Sequence, residues 1–370
     1  MLKPYIYQKK DWPNFQWEDK IIIDLLGEVR NLQGRIVGRM EALGFDLRTE
    51  AVLDTLTLDV LKSTEIEGEV LSIEQVRSSL AKRLGIEIEN SVYSERNVDG
   101  IVDVVLNATQ NYNEQLTKER LFNWHFSLFP TGRSGMYEIT IGEWRKDTTG
   151  PMQVVSGAMG KEKVHFEAPP SDLIENEIEL FLNWFNSKAK IEPVIKAAIA
   201  HLWFVTLHPF EDGNGRLSRA ITDMLLARAD GVPQRYYSLS SQIRLERKGY
   251  YTMLEKVQQG NLDVTEWLVW FLNCLLNAVK ASESVLNKVL YKHKFWNTFG
   301  AEVKNDRQKR MLNALLDGFT GKLTTSKWAK MNKCSQDTAL RDIHNLIEHG
   351  MLQKEKAGGR STSYELITLV

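Results

Sequence analysis

Residues 208–219, which read HPFEDGNGRLSR, bring side chains suited to proton transfer and phosphate binding into one twelve-residue segment. His208 carries an imidazole, whose ordinary pKa of about 6.5 lets it accept a proton at neutral pH. Asp212 supplies a hard carboxylate oxygen of the kind that holds magnesium beside phosphates. A lone histidine after an apolar helix is more often a packed or capping residue, and a lone D-G-N-G is more often a turn. The ordered combination of these residues favours phosphate chemistry.

The residues that follow Asp212 are suited to binding an anion. Gly213 and Gly215, on either side of Asn214, let the backbone approach a ligand closely. The unpaired amides and the dipole of a helix N-terminus favour phosphate oxygens at this point. Arg216 and Arg219 lie three residues apart, so both guanidinium groups can reach one polyphosphate.

Two helices are expected to hold this segment. Residues 194–207, VIKAAIAHLWFVTL, form a largely apolar run of helical length, which predicts a buried helix. Pro209 ends that helix and leaves His208 at its terminus, where the ring is held rigidly. Residues 217–230, LSRAITDMLLARAD, predict a second, amphipathic helix that begins at the glycine-flanked loop.

Helix signals dominate the remaining chain, and the predicted fold class is mainly α. The periodicities predict helices at 18–44, 50–67, 72–84, 94–114, 118–128, 171–188, 192–207, 215–229, 244–259 and 263–290. Two short strand-like runs, 153–156 and 163–166, flank the turn-rich residues 157–160 and predict a β-hairpin.

Length and composition indicate a multidomain globular protein. A chain of 370 residues predicts two or three domains. The 47 lysines and arginines nearly cancel the 48 aspartates and glutamates, which argues against a generally basic nucleic-acid binder. No signal peptide or membrane span is expected, and the two cysteines, Cys274 and Cys334, fit a reducing compartment without a disulfide or zinc. The predicted location is cytoplasmic.

HPFEDGNGRLSR matches the signature of the Fic family, HPFx(D/E)GNGRxxR, at every fixed letter. The resemblance extends over about residues 95–285. It implies an enzyme that transfers AMP from ATP to hydroxyl side chains of a target protein, with Mg²⁺ as cofactor. In that reading His208 is the general base that deprotonates the hydroxyl before it attacks the α-phosphate.

The resemblance also implies roles for the other signature residues. Phe210 anchors the loop in the core, and Asp212 coordinates magnesium. The segment of Gly213, Asn214 and Gly215 cradles the α- and β-phosphates. Arg216 supports the same anion hole, and Arg219 holds the γ-phosphate and orients the ATP.

Two further segments resemble parts of the family's nucleotide site. Residues 142–157 look like the stretch leading into the flap, a hairpin that aligns the target backbone as an added strand. An ordinary edge hairpin is the alternative. A tyrosine pair and a later polar residue would face the adenine, although aromatic residues on helices are more often core. The residues predicted near the nucleotide are Val154, Val155, Ser156, Gly157, Tyr250, Tyr251 and Gln258.

Residues 63–68 fit the family's inhibitory pattern, (S/T)xxxE(G/N), through Ser63, Glu67 and Gly68. The resemblance implies that Glu67 pairs with Arg219 and blocks the γ-phosphate. A carboxylate and a phosphate oxygen cannot share one guanidinium, so the two compete. In some family members this glutamate instead orients a water that removes AMP, so Glu67 could serve the reverse reaction.

The last part of the chain predicts a winged helix. Residues 307–316 are predicted to form a helix. Two further helices follow on either side of Cys334, and the second of them ends at Gly350. Two short strands are then predicted around Ala357, Gly358 and Gly359. The predicted domains are an N-terminal helical region at 1–93, a catalytic domain at 94–290 and the winged helix at 298–370.

The predicted winged helix leaves a rival function open. Residues 301–370 carry 12 basic and 8 acidic residues, which mildly favours DNA contacts. The presumed recognition helix, Gln336 to His349, carries more acidic than basic side chains, and winged helices also bind proteins. The rival is therefore a DNA-binding regulator in which the Fic unit only senses nucleotide. The resemblance further suggests a homodimer.

Overall fold

The computed structural model describes residues 4–42, 45–88, 91–148, 150–157, 163–188, 190–316, 318–319, 321–355 and 362–367, with backbone alone at 45 and 46. The chain divides into two compact units, Met1–Glu283 and Ser284–Val370. No helix in the described ranges is both long enough and apolar enough to cross a bilayer.

The larger unit is built almost entirely of helices, and the predicted fold class is confirmed. Its helices are α1 (Asp19–Glu41), α2 (Phe45–Ile66), α3 (Ile73–Leu84), α4 (Arg96–Gln110), α5 (Lys118–Leu128), α6 (Ile174–Asn186), α7 (Pro193–Leu207), α8 (Asn214–Asp230), α9 (Leu239–Leu245), α10 (Arg247–Gln258) and α11 (Thr265–Phe299), the last of which contains the boundary between the units.

Helices α7 and α8 pack against each other and form the centre of the larger unit. Helix α7 begins where the Glu192 carboxylate accepts from the backbone amides of Val194 and Ile195, at 2.7 and 3.0 Å. Nearly every α7 side chain is buried, as its apolar sequence predicts. Helix α8 begins after Gly213, whose φ of +82° suits a residue without a β-carbon.

Helix α2 carries the predicted inhibitory segment to the start of α8. It packs against α3, α4, α8 and α9. The helix ends at Ile66, and Gly68 follows in the left-handed region with a φ of +91°, which a residue without a β-carbon adopts without strain. This end places Glu67 just beyond the last helical turn.

Strands are short and paired in hairpins. β1 (Arg133–Ser134) pairs with β2 (Tyr137–Glu138), and β3 (Gln153–Ser156) pairs antiparallel with β4 (Lys163–Glu167). The second pair is the predicted hairpin, although of its predicted turn only Gly157 is described and 158–160 lie outside the described residues. The β1–β2 hairpin was not predicted from the sequence.

The prediction of a single helix over residues 244–259 is wrong at its start. The structure has α9 and α10 with a break at Glu246, whose φ and ψ of −100° and 21° leave the helical region. Helix α9 is capped by the Ser238 hydroxyl, which accepts from the backbone amide of Ser241 at 3.0 Å. Seven residues are too few to show a clear helical spacing of apolar residues, so α9 was not predicted from the sequence.

The smaller unit contains α12 (Asp306–Leu316), α13 (Thr325–Met331) and α14 (Gln336–Glu348), with strands β5 (Leu323–Thr324), β6 (Leu352–Lys354) and β7 (Ser363–Leu366) in the order β5-β7-β6. Trp328, Leu312 and Ile343 lie in its core. The expected wing residues Ala357, Gly358 and Gly359 lie outside the described residues, and the winged-helix assignment stays a prediction.

Candidate functional site

His208 lies at the C-terminus of α7 in a left-handed conformation, with φ of 49° and ψ of 55°. Its Nδ1 lies 3.4 Å from the carbonyl oxygen of Val205. Because a carbonyl only accepts, this contact places the ring proton on Nδ1 and leaves the Nε2 lone pair available. The side chain lines a cavity of about 760 Å³, here termed the hairpin cavity, rather than packed hydrocarbon.

Burial sets the protonation state of His208. Burial, with a smaller contribution from nearby Arg145, lowers the pKa of the imidazole to about 4 against the opposing effects of Val205, Glu67 and Asp212. The ring is therefore neutral at physiological pH. A neutral imidazole with an open Nε2 can accept a proton from a hydroxyl group.

Arg145 holds the backbone around His208 and was not singled out from the sequence. Its Nε donates to the His208 carbonyl at 2.7 Å, and the carbonyl of Pro209 accepts from its backbone amide at 2.9 Å. The guanidinium also bonds the Pro169 carbonyl and the Asp147 carboxylate. Arg145 is buried and lies 63 residues from His208 in the sequence, so no local sequence pattern could have indicated this contact.

Phe210 and Asn214 stabilise the loop between α7 and α8. Asn214 Oδ1 accepts from the Phe210 backbone amide at 3.0 Å, and its Nδ2 donates to the Phe210 carbonyl at 2.8 Å. The Phe210 ring is fully buried and stacks on His125 at 4.1 Å between centroids. The Asn214 side chain is therefore engaged in holding the loop closed.

The two glycines of the loop meet different neighbours. A β-carbon on Gly213 would lie 2.8 Å from Cε2 of Phe129. A β-carbon on Gly215 would collide with the Glu67 carboxylate and lie 3.2 Å from Nη1 of Arg219. An anionic oxygen thus already lies against the first turn of α8, where amides and dipole favour negative charge.

Asp212 lines a second cavity of about 700 Å³, here termed the loop cavity, together with Ser134 and Arg216. Its Oδ2 accepts from the Ser134 hydroxyl, and its Oδ1 accepts from the backbone amide of Gly213 at 2.5 Å. In the described part of the chain no group of three or more His, Cys, Asp or Glu side chains could hold a metal. One hard carboxylate beside an anion site fits magnesium, which completes its shell with phosphate and water oxygens.

Arg219 is bound by the end of α2. Nε donates to the Ser63 hydroxyl at 2.9 Å, and Nη2 donates to the Ser63 carbonyl and to Oε1 of Glu67, each at 2.8 Å. The side chain is only 2% exposed. Its Nη1 is buried and has no hydrogen-bond partner in the described structure. A buried, unsatisfied guanidinium nitrogen is costly and favours binding of an external anion.

Arg216 points in a different direction from Arg219. Its Nη1 lies 3.3 Å from Oε2 of Glu69, and its guanidinium stacks over Phe129 at 4.9 Å from the ring centre. Its Nε also lacks a described partner. Two acidic residues that follow α2 therefore bind the two signature arginines separately.

The hairpin cavity gathers most of the residues predicted near the nucleotide. It is lined by His208, Glu67 and Gly215 and by Val154, Val155, Ser156, Tyr250, Tyr251 and Gln258. Gly157, also predicted there, is not among its lining residues.

The polar ends of three of these side chains point in different directions. The hydroxyl of Tyr250 pairs with buried His201 at 2.8 Å, and Gln258 Nε2 donates to Thr206 at 3.3 Å, so both serve the core as well as the cavity wall. The Tyr251 hydroxyl lies 3.5 Å from Oε2 of Glu67.

Glu67 is common to both cavities. It lines the hairpin cavity beside His208 and the loop cavity beside Asp212. The two cavities together offer His208, Asp212 and Arg216 around one helix N-terminus, and Arg219, which binds Glu67, is not among the lining residues of either.

Two segments of the chain match known families. Residues 115–226 match the Fic/DOC family, and residues 5–86 match a domain of unknown function, DUF4172. The chain therefore contains a Fic/DOC domain, and the resemblance drawn from the signature is confirmed.

Curated relatives of this chain carry the Fic name. The chain is 30% identical over 210 residues to a protein adenylyltransferase Fic from Aedes aegypti, a match covering 55% of this chain and 37% of that protein. It is 28% identical over 207 residues to the Drosophila melanogaster protein of the same name, with coverages of 55% and 37%. The chain thus spans well under half the length of these curated relatives.

Two solved structures share the fold. A Fic family protein from Desulfovibrio desulfuricans has a TM-score of 0.51 at 20% identity, covering 95% of this chain and 97% of that chain. A Fic domain containing signaling protein from Bacteroides thetaiotaomicron has a TM-score of 0.50 at 19% identity, with coverages of 72% and 97%.

Proposed function

We propose that this protein is an adenylyltransferase that moves AMP from ATP to a hydroxyl side chain of a target protein. The observation that carries the proposal is the His208 ring, which has Nδ1 against the Val205 carbonyl and Nε2 left to accept a proton, in a cavity that reaches the amide-rich start of α8. The adenylyltransferase activity for which the relatives are named supports the same reaction. ATP is the donor substrate and an unidentified protein is the acceptor.

In the proposed reaction the acceptor hydroxyl gives its proton to Nε2 of His208 while its oxygen attacks the α-phosphorus. The bond from that phosphorus to the bridging oxygen of the β-phosphate breaks, and pyrophosphate leaves. Gly213 and Gly215 give the phosphates access to backbone amides, and Nη1 of Arg219 binds a terminal phosphate oxygen. Magnesium, held by Asp212, would neutralise phosphate charge when bound.

We further propose that Glu67 inhibits this reaction. Its carboxylate binds the Arg219 guanidinium and lies against Gly215, in the space that phosphate oxygens would need. Ser63 binds two nitrogens of the same guanidinium and keeps it turned toward α2. ATP must therefore displace Glu67 before its terminal phosphate can bind Arg219 productively.

The test is transfer of label from ATP carrying ³²P at the α-position, with magnesium, in the Glu67→Gly protein. Label on protein that disappears in a Glu67→Gly, His208→Ala double variant supports the enzyme. Tyr112→Phe is the matched control, because it removes a hydroxyl that donates to the Gly231 carbonyl and Tyr112 lines neither cavity. Equal labelling with and without His208 would refute the proposal.

A second activity at the same site is removal of AMP from a modified protein. It is favoured by Oε2 of Glu67, which accepts only a long contact of 3.5 Å from Tyr251 and faces the hairpin cavity. Such an oxygen could orient a water molecule. AMP release from a pre-modified target by the wild type, lost in Glu67→Gly, would identify this activity.

The rival reading is a DNA-binding regulator with a nucleotide-sensing Fic domain. One observation from the smaller unit favours retaining it. Asp342 of α14 is buried and binds the Arg307 guanidinium at 2.8 and 3.0 Å, so that acidic residue is withdrawn from the exposed face. DNA binding by wild type, together with nucleotide binding but no label transfer in Glu67→Gly, would favour the regulator.

Several finer assignments remain predictions. They are the domain limits at 1–93, 94–290 and 298–370, the homodimer and the cytoplasmic location.

A further inference from the structure

Residues 5–16, here termed the aromatic strap, run across the larger unit and carry the aromatic side chains of Tyr5, Tyr7, Trp12 and Phe15. They belong to the segment that matches the domain of unknown function. At one end of the strap, the backbone of Gln16 donates to the Leu262 carbonyl and accepts from the Val264 amide, each at 2.8 Å. This end of the strap is therefore fixed just before α11.

The middle of the strap is anchored on α6 and α7. Trp12 Nε1 donates to Oε2 of Glu177 at 2.8 Å. The rings of Trp12 and Phe15 meet the ring of Trp203 edge-on, with centroids 5.8 and 5.6 Å apart. Trp203 lies on α7 five residues before His208. The strap is thus attached to the helix that carries the proposed base.

The other end of the strap packs against the β3–β4 hairpin. Within β3 and β4, whose residues are all described, Phe166 is the one buried side chain. The rings of Tyr5 and Tyr7 both meet Phe166 edge-on, at 5.0 and 6.2 Å between centroids. Such ring pairs stabilise a structure beyond the area that they bury. A two-stranded hairpin is only marginally stable by itself, so its position depends on contacts of this kind.

The strap also contacts the chain where β4 ends, beside the residue that holds His208. The Tyr7 hydroxyl donates to the Ala168 carbonyl at 3.4 Å. Burial raises the pKa of Tyr7 to about 12, so this hydroxyl stays protonated and able to donate. The next carbonyl, that of Pro169, accepts from Arg145, which also donates to the His208 carbonyl. The strap and Arg145 therefore hold the end of the hairpin and the base in a fixed relation.

Helix α10 provides a second attachment for the hairpin. Nδ1 of His165 lies 2.7 Å from Oε2 of Glu255, and Gln259 donates to the His165 carbonyl at 2.9 Å. The side chains of His165 and Glu255 are both partly exposed, so water competes for these polar contacts. The strap supplies the apolar attachment, because it packs on buried Phe166.

We propose that Tyr5 and Tyr7 are positioning residues for the transfer reaction, which hold the hairpin so that an acceptor hydroxyl, rather than water, meets the α-phosphorus beside His208. The inference rests on the proposed transferase activity. Val154 and Val155 of β3 line the cavity that contains His208, so a shift of the hairpin moves one wall of that cavity. The phosphate site at the start of α8 is built by other elements.

Water is the competing acceptor when the hairpin is loose. Its oxygen forms the new bond to the α-phosphorus, its proton passes to His208, and pyrophosphate leaves. The product is then free AMP instead of AMP bound to protein. The ratio of protein-bound to free AMP therefore reports how well the hairpin aligns an acceptor.

The test measures this ratio in the Glu67→Gly protein with α-³²P-labelled ATP, magnesium and a desalted lysate of the expression host as the acceptor probe. The same reaction with Glu67→Gly, His208→Ala is subtracted as background. In a Tyr5→Ala, Tyr7→Ala variant the ratio should fall by about fivefold or more, because two edge-on ring contacts are lost. Tyr5→Phe, Tyr7→Phe keeps both rings and should stay within about twofold of the parent ratio. Tyr93→Ala, at a tyrosine that is 84% exposed and lines no part of the hairpin cavity, is the matched control.

Hydrogen–deuterium exchange measures the hairpin without any acceptor. In the Tyr5→Ala, Tyr7→Ala variant the backbone amides of β3 and β4 should exchange faster by about fivefold or more. The amides of α7 and α8 should keep the parent rates, because the phosphate site does not depend on the two tyrosines.

The outcomes separate this inference from the proposed function. An unchanged ratio overturns the inference, and a lower ratio without faster hairpin exchange overturns the hairpin as its route. A parallel fall in protein-bound and free AMP, with faster exchange throughout α7 and α8, also overturns it, because the tyrosines would then only stabilise the core. Absence of AMP that depends on His208, bound or free, in the Glu67→Gly parent overturns the proposed function, whereas AMP formation with an unchanged ratio overturns the strap alone.

Discussion

Glu67 Oε1 accepts a hydrogen bond of 2.8 Å from Nη2 of Arg219, across 152 residues of sequence. The same carboxylate lies against Gly215 at the start of α8. An inhibitory carboxylate therefore rests at the place where a phosphate would bind.

Replacing Glu67 with glycine should raise AMP transfer at least tenfold, because a hydrogen bond between charged groups contributes about 1.5–3 kcal/mol. The measurement is the initial rate of label transfer at subsaturating ATP. Glu65→Gly is the matched control, since Glu65 pairs with Lys62 at 2.6 Å and Arg244 at 3.4 Å rather than with Arg219. Equal rates in wild type and Glu67→Gly would refute the inhibition.

Gly215→Ala should abolish ATP binding even after Glu67 is removed. In the wild type the new methyl group would collide with the Glu67 carboxylate, and in Glu67→Gly it would fill the space that the carboxylate had held. Isothermal titration with Mg-ATP on the Glu67→Gly background measures the effect. Gly249→Ala, whose β-carbon would meet only Trp270 at an ordinary 3.8 Å, should bind as before. Unchanged affinity in the Gly215 variant would place the phosphates elsewhere.

Arg145→Lys should lower kcat by about tenfold to a hundredfold with little change in KM for ATP, since small misplacement of a catalytic group has effects of this size. Lysine retains the charge but cannot bridge the carbonyls of His208 and Pro169 at once. Steady-state kinetics on the Glu67→Gly background separates the two constants. Lys146→Arg, at the exposed neighbouring residue, is the control. A change confined to KM would contradict a positioning role.

The pH dependence of transfer should be flat between pH 5.5 and 7.5. Burial lowers the pKa of His208 to about 4, so the base is already neutral over this range. Glu67 raises that pKa, so its removal moves the value further down. A base with an ordinary pKa of about 6.5 would instead lose about tenfold in kcat/KM over the same interval. That loss, measured in Glu67→Gly, would contradict the burial argument.

Acid should destabilise the larger unit through its buried histidines. Burial lowers the pKa of His201 to about 3, so the unfolded chain binds a proton below pH 6.5 that the folded chain does not. The free energy of unfolding should therefore fall as pH drops from 6.5 toward 4, by up to about 1.4 kcal/mol per unit for each such histidine.

Urea unfolding of wild type and His201→Gln at pH 7 and pH 5 measures this dependence, and the variant should show the smaller difference between the two pH values. Thr222→Val is the matched control, because it removes the 2.9 Å partner of His201 Nδ1 but keeps the ionisable ring. It should lower stability without flattening the pH dependence. An equal dependence in wild type and His201→Gln would contradict the prediction.

Helix positions were largely predictable because their signals are local. The apolar run before Pro209 and the Gly213 turn each determine a helix end within a few residues. The α9 helix and the β1–β2 hairpin were not predicted. Helix α9 has seven residues and each of the two strands has two, which is too short for a repeating pattern of apolar residues to be recognised. Tertiary packing, rather than local pattern, stabilises such short elements.

The sequence alone determined the class of chemistry and the local frame of the site, since His208 through Arg219 are close along the chain. Only the tertiary structure decided which distant groups complete that site. Arg145 reaches the His208 carbonyl, and Glu255 reaches His165 across 90 residues. These contacts depend on how helices and the hairpin pack, and packing is a property of the whole core that no short stretch of residues encodes.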